Sequence, residues 1–498
     1  MTRVPLLSGS RLTIVNAGHG AEIMRPPAPA QAIDVAAAVR EALRFPLSGP
    51  SLETVARSAT RATIVVEPPG LPLPGSPSDP RREAIAATVS ELERCGIATG
   101  DQTLLVAGGL ARRLAQRDLA ELVSPEFARR FHGHVEVHDA EAENLVELGS
   151  SGSVELRAHP SLVETDLVVT VTAAETVLNG GPSALLGAAN ASALRCAGAY
   201  SLLETAASQG WRLAVALERA LADRVPVLGV SLVLNHPRFG GALRGYPYEP
   251  AALERIARSP LRPAFAALPS GIRQRVLSSL PAELSAAAAF AGSPSVAHAE
   301  AMLRSIELRS ADLEGPVDAI VIGIPRATPY LPREQPNPLL AAYLGLGHAL
   351  RLWRDSFPVV EGGTAILVHH FHRHFAHPTQ QPYRAIFAGA RFGHEELAAA
   401  EQAAADDPRA IEAYRAGRAC HPLLPFRDWE ACQPAIDRLG AVLIAGCRDA
   451  TAARQLGFVP THGVGAALGM ARGRADSPPR IGFLLSPPYF GLRMRGGG

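Results

Sequence analysis

The chain has 498 residues, of which 47% are hydrophobic and 19% charged, a composition typical of a globular protein with room for more than one core. Disordered and collagen-like chains are thereby excluded. Its 48 cationic and 47 acidic side chains leave a net charge of +1, which gives no overall field for nucleic acid or an acidic membrane.

All the cationic side chains are arginines, because the sequence contains no lysine. A Schiff-base lysine, a Walker-type phosphate loop, a pyridoxal phosphate anchor and a lysine general base are therefore excluded. The first twenty residues lack the apolar segment of a secretory signal, and no stretch is apolar for long enough to cross a bilayer. Five scattered cysteines form no C-x-x-C pair. These features predict a cytoplasmic protein without membrane or nucleic-acid partners.

Nine apolar runs rich in Val, Ile and Leu predict strands along the chain. Several of them do not alternate with polar residues, which is typical of strands covered on both faces. The runs lie at residues 63–67, 102–107, 135–138, 167–172, 225–234, 317–324, 364–369, 441–445 and 481–485.

Helical patterns between these runs complete a βαβ organisation. The clearest begins at Asp79 as N-cap with Pro80 in the first helical position and ends at Gly96; two others lie at about 32–44 and 339–357. Repeated strand–helix units imply largely parallel sheets. The prediction is an α/β fold of two domains with an interdomain cleft.

The predicted domain boundaries rest on one long Ala-rich segment. Residues 250–309 contain no convincing strand, so this segment is interpreted as helical. The domains are therefore predicted as 1–270 and 311–498, joined by a helical junction at 271–310. Ligands of open α/β sheets bind beyond the carboxyl ends of the strands. The loops that follow strands, at 68–80, 108–113, 173–187 and 325–338, are accordingly the candidate ligand loops.

These segments, in this order, resemble the nickel-pincer lactate racemase family, whose members are cytoplasmic two-domain α/β proteins. The resemblance covers nearly the whole chain, and its most specific piece is the stretch from His138 to Gly149. The other matching segments are 36–50, 79–96, 106–109, 167–172, 180–181, 230–235 and 441–469. It implies a small hydroxy acid or related carboxylate as the substrate and racemisation or epimerisation as the reaction.

The functional residues of the family are largely replaced in this chain. The family signature Asp-x-Thr-Arg-Pro corresponds to residues 67–71, where Glu67 keeps the acid and the arginine is lost. Leu110 and Val177 stand where the family has its two proton-transfer histidines. Gly187 stands where the family has the lysine that is covalently tied to the cofactor, and Leu203 lies near the place of the nickel-ligand histidine.

These replacements bear directly on the cofactor. Leucine and valine cannot exchange protons, and a chain without lysine cannot form the covalent tether anywhere. A covalent nickel-pincer nucleotide on lysine is therefore excluded, and the cofactor is left unassigned. A fold can persist while its site is replaced.

A histidine-rich segment in the second domain is the strongest local group of candidate site residues. His370, His372, His374 and His377 follow the strand at 364–369. In an extended segment the first three share one face, and in a helix the first, third and fourth do. Imidazoles gathered in this way would bind a divalent metal such as Zn, Ni, Cu or Fe, and Glu361, His394 and Glu395 are candidates to complete the shell.

Other interpretations of the histidine segment stay open. The histidines of an exposed loop without a catalytic role would give the same pattern, and this is the first alternative; a metal-free acid/base or anion site is the second. Arg326, after the strand at 317–324, is a candidate to hold a substrate carboxylate with two parallel hydrogen bonds. Glu67, Arg326, His370 and His372 are thus the predicted catalytic residues. Tyr343 is interpreted as half-buried core, and the His138–Asp139 pair as structural because neighbours on a strand face opposite sides.

Three functions remain open from the sequence. The first is a divergent racemase or epimerase of small carboxylates with a cleft between two domains. The second is a non-catalytic relative that binds a small anion or a partner protein. The third is a histidine-bound metal enzyme of another reaction type. Oligomeric state and substrate identity are not determined by the sequence.

Overall fold

The computed structural model describes most of the chain. The described residues are 2–18, 20–70, 73, 75, 78–115, 119, 122–174, 180–198, 208–325, 337–351, 353–354, 357–373, 375, 380–389, 394–474 and 478–495. Among the helices of this described part, none combines the length and the apolar character that crossing a bilayer requires.

The strands and helices are numbered in chain order. The strands are β1 Thr2–Ser8, β2 Arg11–Ala17, β3 Glu22–Met24, β4 Ala62–Val66, β5 Gln102–Val106, β6 His134–Val137, β7 Val146–Ser151, β8 Val154–Ala158, β9 Leu167–Ala174, β10 Val227–Leu234, β11 Arg238–Phe239, β12 Ala282–Glu283, β13 Ala286–Gly292, β14 Ser310–Glu314, β15 Val317–Gly323, β16 Trp353–Arg354, β17 Val359–Val368, β18 Ala441–Ala445, β19 Val459–Thr461, β20 Ile481–Leu484 and β21 Gly491–Arg495. The helices are α1 Val35–Arg44, α2 Leu52–Ala56, α3 Arg81–Arg94, α4 Pro125–Arg130, α5 Pro182–Leu186, α6 Ala191–Ala197, α7 Gln209–Ala222, α8 Pro250–Ala257, α9 Leu261–Ala267, α10 Ser270–Ser278, α11 Pro294–Arg309, α12 Pro338–Ala342, α13 Tyr383–Gly389, α14 His394–Ala405, α15 Pro408–Arg415, α16 Leu424–Glu430, α17 Gln433–Ile436, α18 Ala450–Gln455 and α19 Val464–Gly473.

The first sheet has the strand order β13-β10-β9-β4-β5-β6 within the described chain. All its neighbours are parallel except β13, which runs antiparallel to β10. Ile64 and Val66 of β4 pack under α1 and α3, whereas Val65 packs on the other face with α5 and α7. Burial on both faces is the reason why these strands are apolar without alternation.

The second sheet has the order β19-β18-β17-β15-β20-β3, with every described pair parallel. Leu367 of β17 packs on the face that carries α12 and α16, and Val368 packs on the face that carries β1, β2 and α19. The predicted α/β class with mainly parallel sheets is confirmed. Each of the nine predicted strands is also found, within a few residues at its ends.

The prediction that residues 250–309 contain no strand is wrong. The segment Ala286–Gly292 forms β13 at the edge of the first sheet, and α11 packs against it. Its sequence AAAAFAG carries little β-propensity, because alanine favours helices. Antiparallel pairing with β10 overrides that local preference. The segment 271–310 predicted as a helical junction therefore contains part of the first sheet.

The amino-terminal segment lies with the second sheet, although the prediction placed residues 1–270 in one domain. Strand β3 pairs with β20, and the β1–β2 hairpin packs on the face that includes Val321 and Ile366. The hairpin tip is held by the Gly9 amide, which donates to the carbonyl of Ile324 at 2.9 Å. The first part of the chain thus helps to build the carboxyl edge of the second sheet.

The helix predicted at 339–357 is shorter than expected. Helix α12 ends at Ala342 and continues as a π-helical turn over Tyr343–His348 and a short 3-10 turn over Ala349–Arg351. A Cβ atom at Gly345 would lie 2.6 Å from the Leu367 side chain. The glycine therefore lets this turn approach the second sheet closely.

Candidate functional site

The carboxyl edge of the first sheet begins with the loops after β4, β5 and β6. Glu67 directly follows β4, and its side chain is buried. His138 directly follows β6, where its Nε2 atom lies 2.8 Å from the carbonyl oxygen of Ala189. Burial lowers the pKa of His138 to about 3. Asp139 instead accepts from Arg415 at 3.2 Å. The two neighbours thus take different partners, in agreement with the structural interpretation.

Leu110, at the place of a family proton-transfer histidine, is packed in a closed apolar contact. Only 1% of its surface is exposed, and it belongs to a cluster that includes Leu185, Leu194 and Tyr414. No proton can be exchanged at an alkyl side chain. The position that the resemblance assigns to the first of the family's two bases is therefore occupied by core packing.

A segment from the opposite end of the chain covers this loop. We call residues 414–421 the cover segment. The hydroxyl of Tyr414 donates to the carbonyl of Gly109 at 3.0 Å, and the amide of His421 donates to the carbonyl of Leu110 at 2.9 Å. His421 Nε2 also lies 2.9 Å from Glu141 Oε1. The cover segment therefore closes the first sheet at the ends of β5 and β6.

Gly187, at the place of the family's tethering lysine, has no room for a side chain. A Cβ atom there would lie 2.9 Å from the carbonyl oxygen of Ala107 and 3.2 Å from that of Ala184. The Gly187 carbonyl in turn accepts the Gly109 amide at 2.9 Å. Together with the packed Leu110, these contacts do not fit a covalently tethered nickel-pincer nucleotide.

The lack of space at Gly187 gives a direct prediction. We expect Gly187→Ala to lower the free energy of unfolding by about 1–3 kcal/mol, because the new Cβ atom meets backbone oxygens that cannot move independently. Gly469→Ala is the matched control. It lies in α19 with nothing within 4 Å of the new Cβ atom, and it should stabilise the helix by up to about 1 kcal/mol. Equal denaturation midpoints for Gly187→Ala and the wild type would contradict the steric argument.

The carboxyl edge of the second sheet carries His369 and His370. His369 is buried, and the structure shows no hydrogen-bond partner for its Nδ1 atom. Burial and the neighbouring His370 lower the pKa of His369 to about 3. His370 is half-buried and donates from Nδ1 to the carbonyl of Gly446, which follows β18. The two rings thus differ in environment despite being adjacent.

Three arginines lie around His370. The pKa of His370 is lowered by burial, and further lowered by the charges of Arg11, Arg448 and Arg273. We call these three guanidinium groups and the His370 ring the cationic edge. Sequence reasoning did not single out these arginines, because they come from β2, from α10 and from the loop after β18. A positive surrounding of this kind disfavours a metal cation at His370.

The predicted metal set is only partly within the described chain. Among the described residues, no group of three or more His, Cys, Asp or Glu side chains is placed to hold a metal ion. His372 is exposed, and Arg326, His374 and His377 lie outside the described residues. Glu361 lies near the start of β17, at the opposite end of this strand from His370. It therefore does not complete a shell there, and the histidine metal site stays a prediction.

A buried carboxyl group in the second sheet's helical layer was not anticipated. Tyr383 donates to Asp428 Oδ2 at 2.5 Å inside the core. Burial raises the pKa of Asp428 to about 6. In the sequence, the apolar neighbours Phe426 and Trp429 in α16 were the signal that could have indicated the burial of Asp428. Tyr343 is half-buried against the same core, as predicted.

Comparison with known proteins gives a family for the amino-terminal part. Residues 9–181 match the model described as the lactate racemase N-terminal domain. No curated protein matches the chain in sequence.

Among solved structures, the lactate racemase apoprotein from Thermoanaerobacterium thermosaccharolyticum is similar with a TM-score of 0.61 at 14% identity. That match covers 99% of this chain and 100% of the other. A Thermotoga maritima protein solved by structural genomics is also similar, at a TM-score of 0.49 and 11% identity, over 90% of this chain and 100% of that one. The first likeness shows that the chain has the fold of the lactate racemase apoprotein, and residues 9–181 match the lactate racemase N-terminal domain.

Proposed function

We propose that this chain binds a small carboxylate of the 2-hydroxy acid class and that it does so without a lysine-tethered nickel cofactor. The class of ligand is supported by the match to the lactate racemase N-terminal domain and by the shared fold. The absence of a lysine-tethered nickel cofactor is supported by the lack of space for a side chain at Gly187 and by the burial of Leu110. A binding role follows, because the groups that would invert the substrate carbon are absent from those positions.

Racemisation or epimerisation is the competing function, and the same family match favours it. Inverting a carbon that bears a hydroxyl group needs a hydride or proton acceptor on one face and general bases to manage the hydroxyl proton. Glu67, His370 and His372 are the predicted residues that would have to supply this chemistry. Leu110 does not, since its alkyl side chain has no proton to give. We therefore place the binding role first.

Purified protein tests the proposal in three measurements. We expect the intact mass to equal that of the bare polypeptide, titration calorimetry to show binding of L- or D-lactate, and chiral chromatography to show no interconversion of the two. Metal analysis should find no stoichiometric nickel. Stoichiometric nickel together with interconversion of lactate would overturn the binding role in favour of a racemase.

Arg326 is our candidate for the carboxylate-binding group. Its guanidinium would hold the ligand by two parallel hydrogen bonds, so Arg326→Ala should abolish lactate binding. Arg326→Lys should restore it only in part, because lysine offers a single point charge instead of a planar fork. Unchanged binding in Arg326→Ala would remove this residue from the site. Absence of binding by the wild type would overturn the proposed ligand class.

A further inference from the structure

The cationic edge is assembled from four separate parts of the chain. Arg11 opens β2 at the tip of the amino-terminal hairpin, and Arg273 belongs to α10. His370 follows β17, and Arg448 follows β18. The carboxyl edge of a parallel sheet is the usual place for a ligand in open α/β folds.

Backbone hydrogen bonds hold these parts together. The Gly9 amide fixes the hairpin tip on Ile324, and the Arg273 Nε atom donates to the carbonyl of Ser10 at 3.2 Å. The carbonyl of Phe371 accepts the amides of Arg448 at 3.3 Å and Asp449 at 3.1 Å. The four side chains are therefore carried on a fixed frame, so little ordering is needed when a ligand binds.

The positive charges have no acidic partner in the described chain. Arg11, Arg273 and Arg448 form no ion pair with any described carboxylate, whereas many other arginines do. The pKa of Arg11 is lowered by burial and then by Arg273 and Arg448. The neighbouring carboxylate of Asp449 caps α18 through the Ala452 amide at 2.9 Å.

Arg273 makes the arrangement more than an exposed basic patch. Only 6% of its surface is exposed, and its Nη1 atom donates to the carbonyls of Ala266, at 3.1 Å, and Leu268. A charged group taken out of water normally needs a compensating charge. Neutral carbonyls supply dipoles but no charge. An anion from solution would supply the compensating negative charge.

We propose that the cationic edge binds a phosphate group, either free phosphate or the phosphate of a small organic molecule. Three guanidinium groups carried on three separate segments of the chain suit a tetrahedral dianion, whose oxygens accept hydrogen bonds on several sides. A planar carboxylate carries one charge and two oxygens, so it would leave most of this field uncompensated. The site goes beyond the proposed function and does not depend on it.

Titration calorimetry in a phosphate-free buffer tests this assignment, with inorganic phosphate, glycerol phosphate and malonate as the probes. We expect one phosphate-class ligand per chain, with Arg11→Ala and Arg448→Ala each weakening binding about tenfold or more. Arg3→Ala is the matched control. Arg3 lies exposed on the same hairpin but pairs with Asn16 at the far end from the tip, so its removal should leave the affinity unchanged.

The probes distinguish the sources of the ligand and the rival sites. Tighter binding of glycerol phosphate than of inorganic phosphate would assign an organic phosphate, and the reverse would assign the free ion. Malonate binding of equal strength, equal losses in Arg3→Ala, or no binding of either phosphate probe would overturn the proposal. So would zinc or nickel binding that is lost in His370→Ala.

Lactate titrated into Arg11→Ala separates the two proposals. Lactate binding that persists while phosphate binding is lost shows two independent sites. Loss of lactate binding in Arg326→Ala, with phosphate binding retained, bears on the proposed function and not on the phosphate site. Thermal melts of each variant confirm that the fold is retained, since the side chains of Arg11 and Arg448 make no hydrogen bond to the described protein.

Discussion

Lowering the pH from 7 to 5 is expected to reduce the free energy of unfolding by about 8 kcal/mol. Five buried imidazoles cause this loss, and one carboxyl group offsets part of it. Burial lowers the pKa of His138, His236, His298 and His369 to about 3 and that of His348 to about 4. The unfolded chain binds protons near pH 6.5, whereas the folded chain does not. Stability is therefore intact above pH 6.5 and falls as the pH drops toward 3.

Each of these imidazoles contributes about 2 kcal/mol between pH 7 and pH 5. Asp428 acts in the opposite direction. Its pKa of about 6 in the folded chain lies above the ordinary value of 3.8, so the folded state takes up this proton first and gains about 1 kcal/mol over the same interval. Since globular proteins have only about 5–15 kcal/mol of stability, the chain should be close to unfolding at pH 5.

Guanidinium unfolding curves at several pH values, followed by circular dichroism, measure the effect. His298→Gln should remove the contribution of one imidazole to the change in the free energy of unfolding, about 2 kcal/mol between pH 7 and pH 5. This ring is buried between Ser231, 2.9 Å away, and the glycines 180 and 181. His134→Gln should leave the dependence unchanged, since His134 is exposed. Identical pH profiles for His298→Gln and His134→Gln would show that burial of the imidazole is not the cause.

Replacing Tyr414 is expected to open the contact that closes the first sheet. Its hydroxyl donates to the Gly109 carbonyl and accepts the Ala140 amide at 3.2 Å. Tyr414→Phe leaves both backbone groups buried without a partner and should cost about 2–4 kcal/mol. Tyr414→Ala adds the cavity of a lost ring, which brings a further loss of about 3 kcal/mol or more. Urea or guanidinium unfolding gives both differences, and faster hydrogen exchange at the Ala140 amide localises them.

The neighbouring Arg415 is the control for this prediction. Arg415 also contacts the first sheet's edge, through Asp139, but it is exposed. An exposed ion pair contributes at most about 1 kcal/mol, so Arg415→Ala should have a small effect. A loss in Arg415→Ala as large as that in Tyr414→Phe would mean that surface charge, not the buried hydroxyl, holds the cover segment in place.

The sequence alone predicted the sheets well, because buried parallel strands leave an unmistakable pattern. The segments 64–66 and 442–445 are apolar throughout, and the structure buries them on both faces. The helix after Asp79 was readable from its stop at Gly96, whose φ is +101°, but its start was predicted one residue early. The helix begins at Arg81 with Pro80 as the N-cap residue, and Asp79 accepts the Arg81 amide at 2.8 Å. Local patterns suffice where a residue's neighbours along the chain determine its environment.

The missed elements are those whose conformation depends on distant partners. Strand β13 has an alanine-rich sequence that favours a helix, and only its pairing with β10 makes it extended. The hairpin of β1 and β2 packs on a sheet whose central strands lie more than three hundred residues later in the chain. No periodicity within either segment carries this information.

The candidate sites divide in the same way. Sequence comparison with the family was enough to find that leucine and glycine stand at the places of a base and the tethering lysine, and that no lysine exists elsewhere. Only the tertiary structure decided that Gly187 has no space for a side chain and that Leu110 is sealed by Tyr414. It alone brought Arg11, Arg273 and Arg448 around His370. Residue identity is a local property, whereas steric space and electric field are set by atoms that the fold brings from afar.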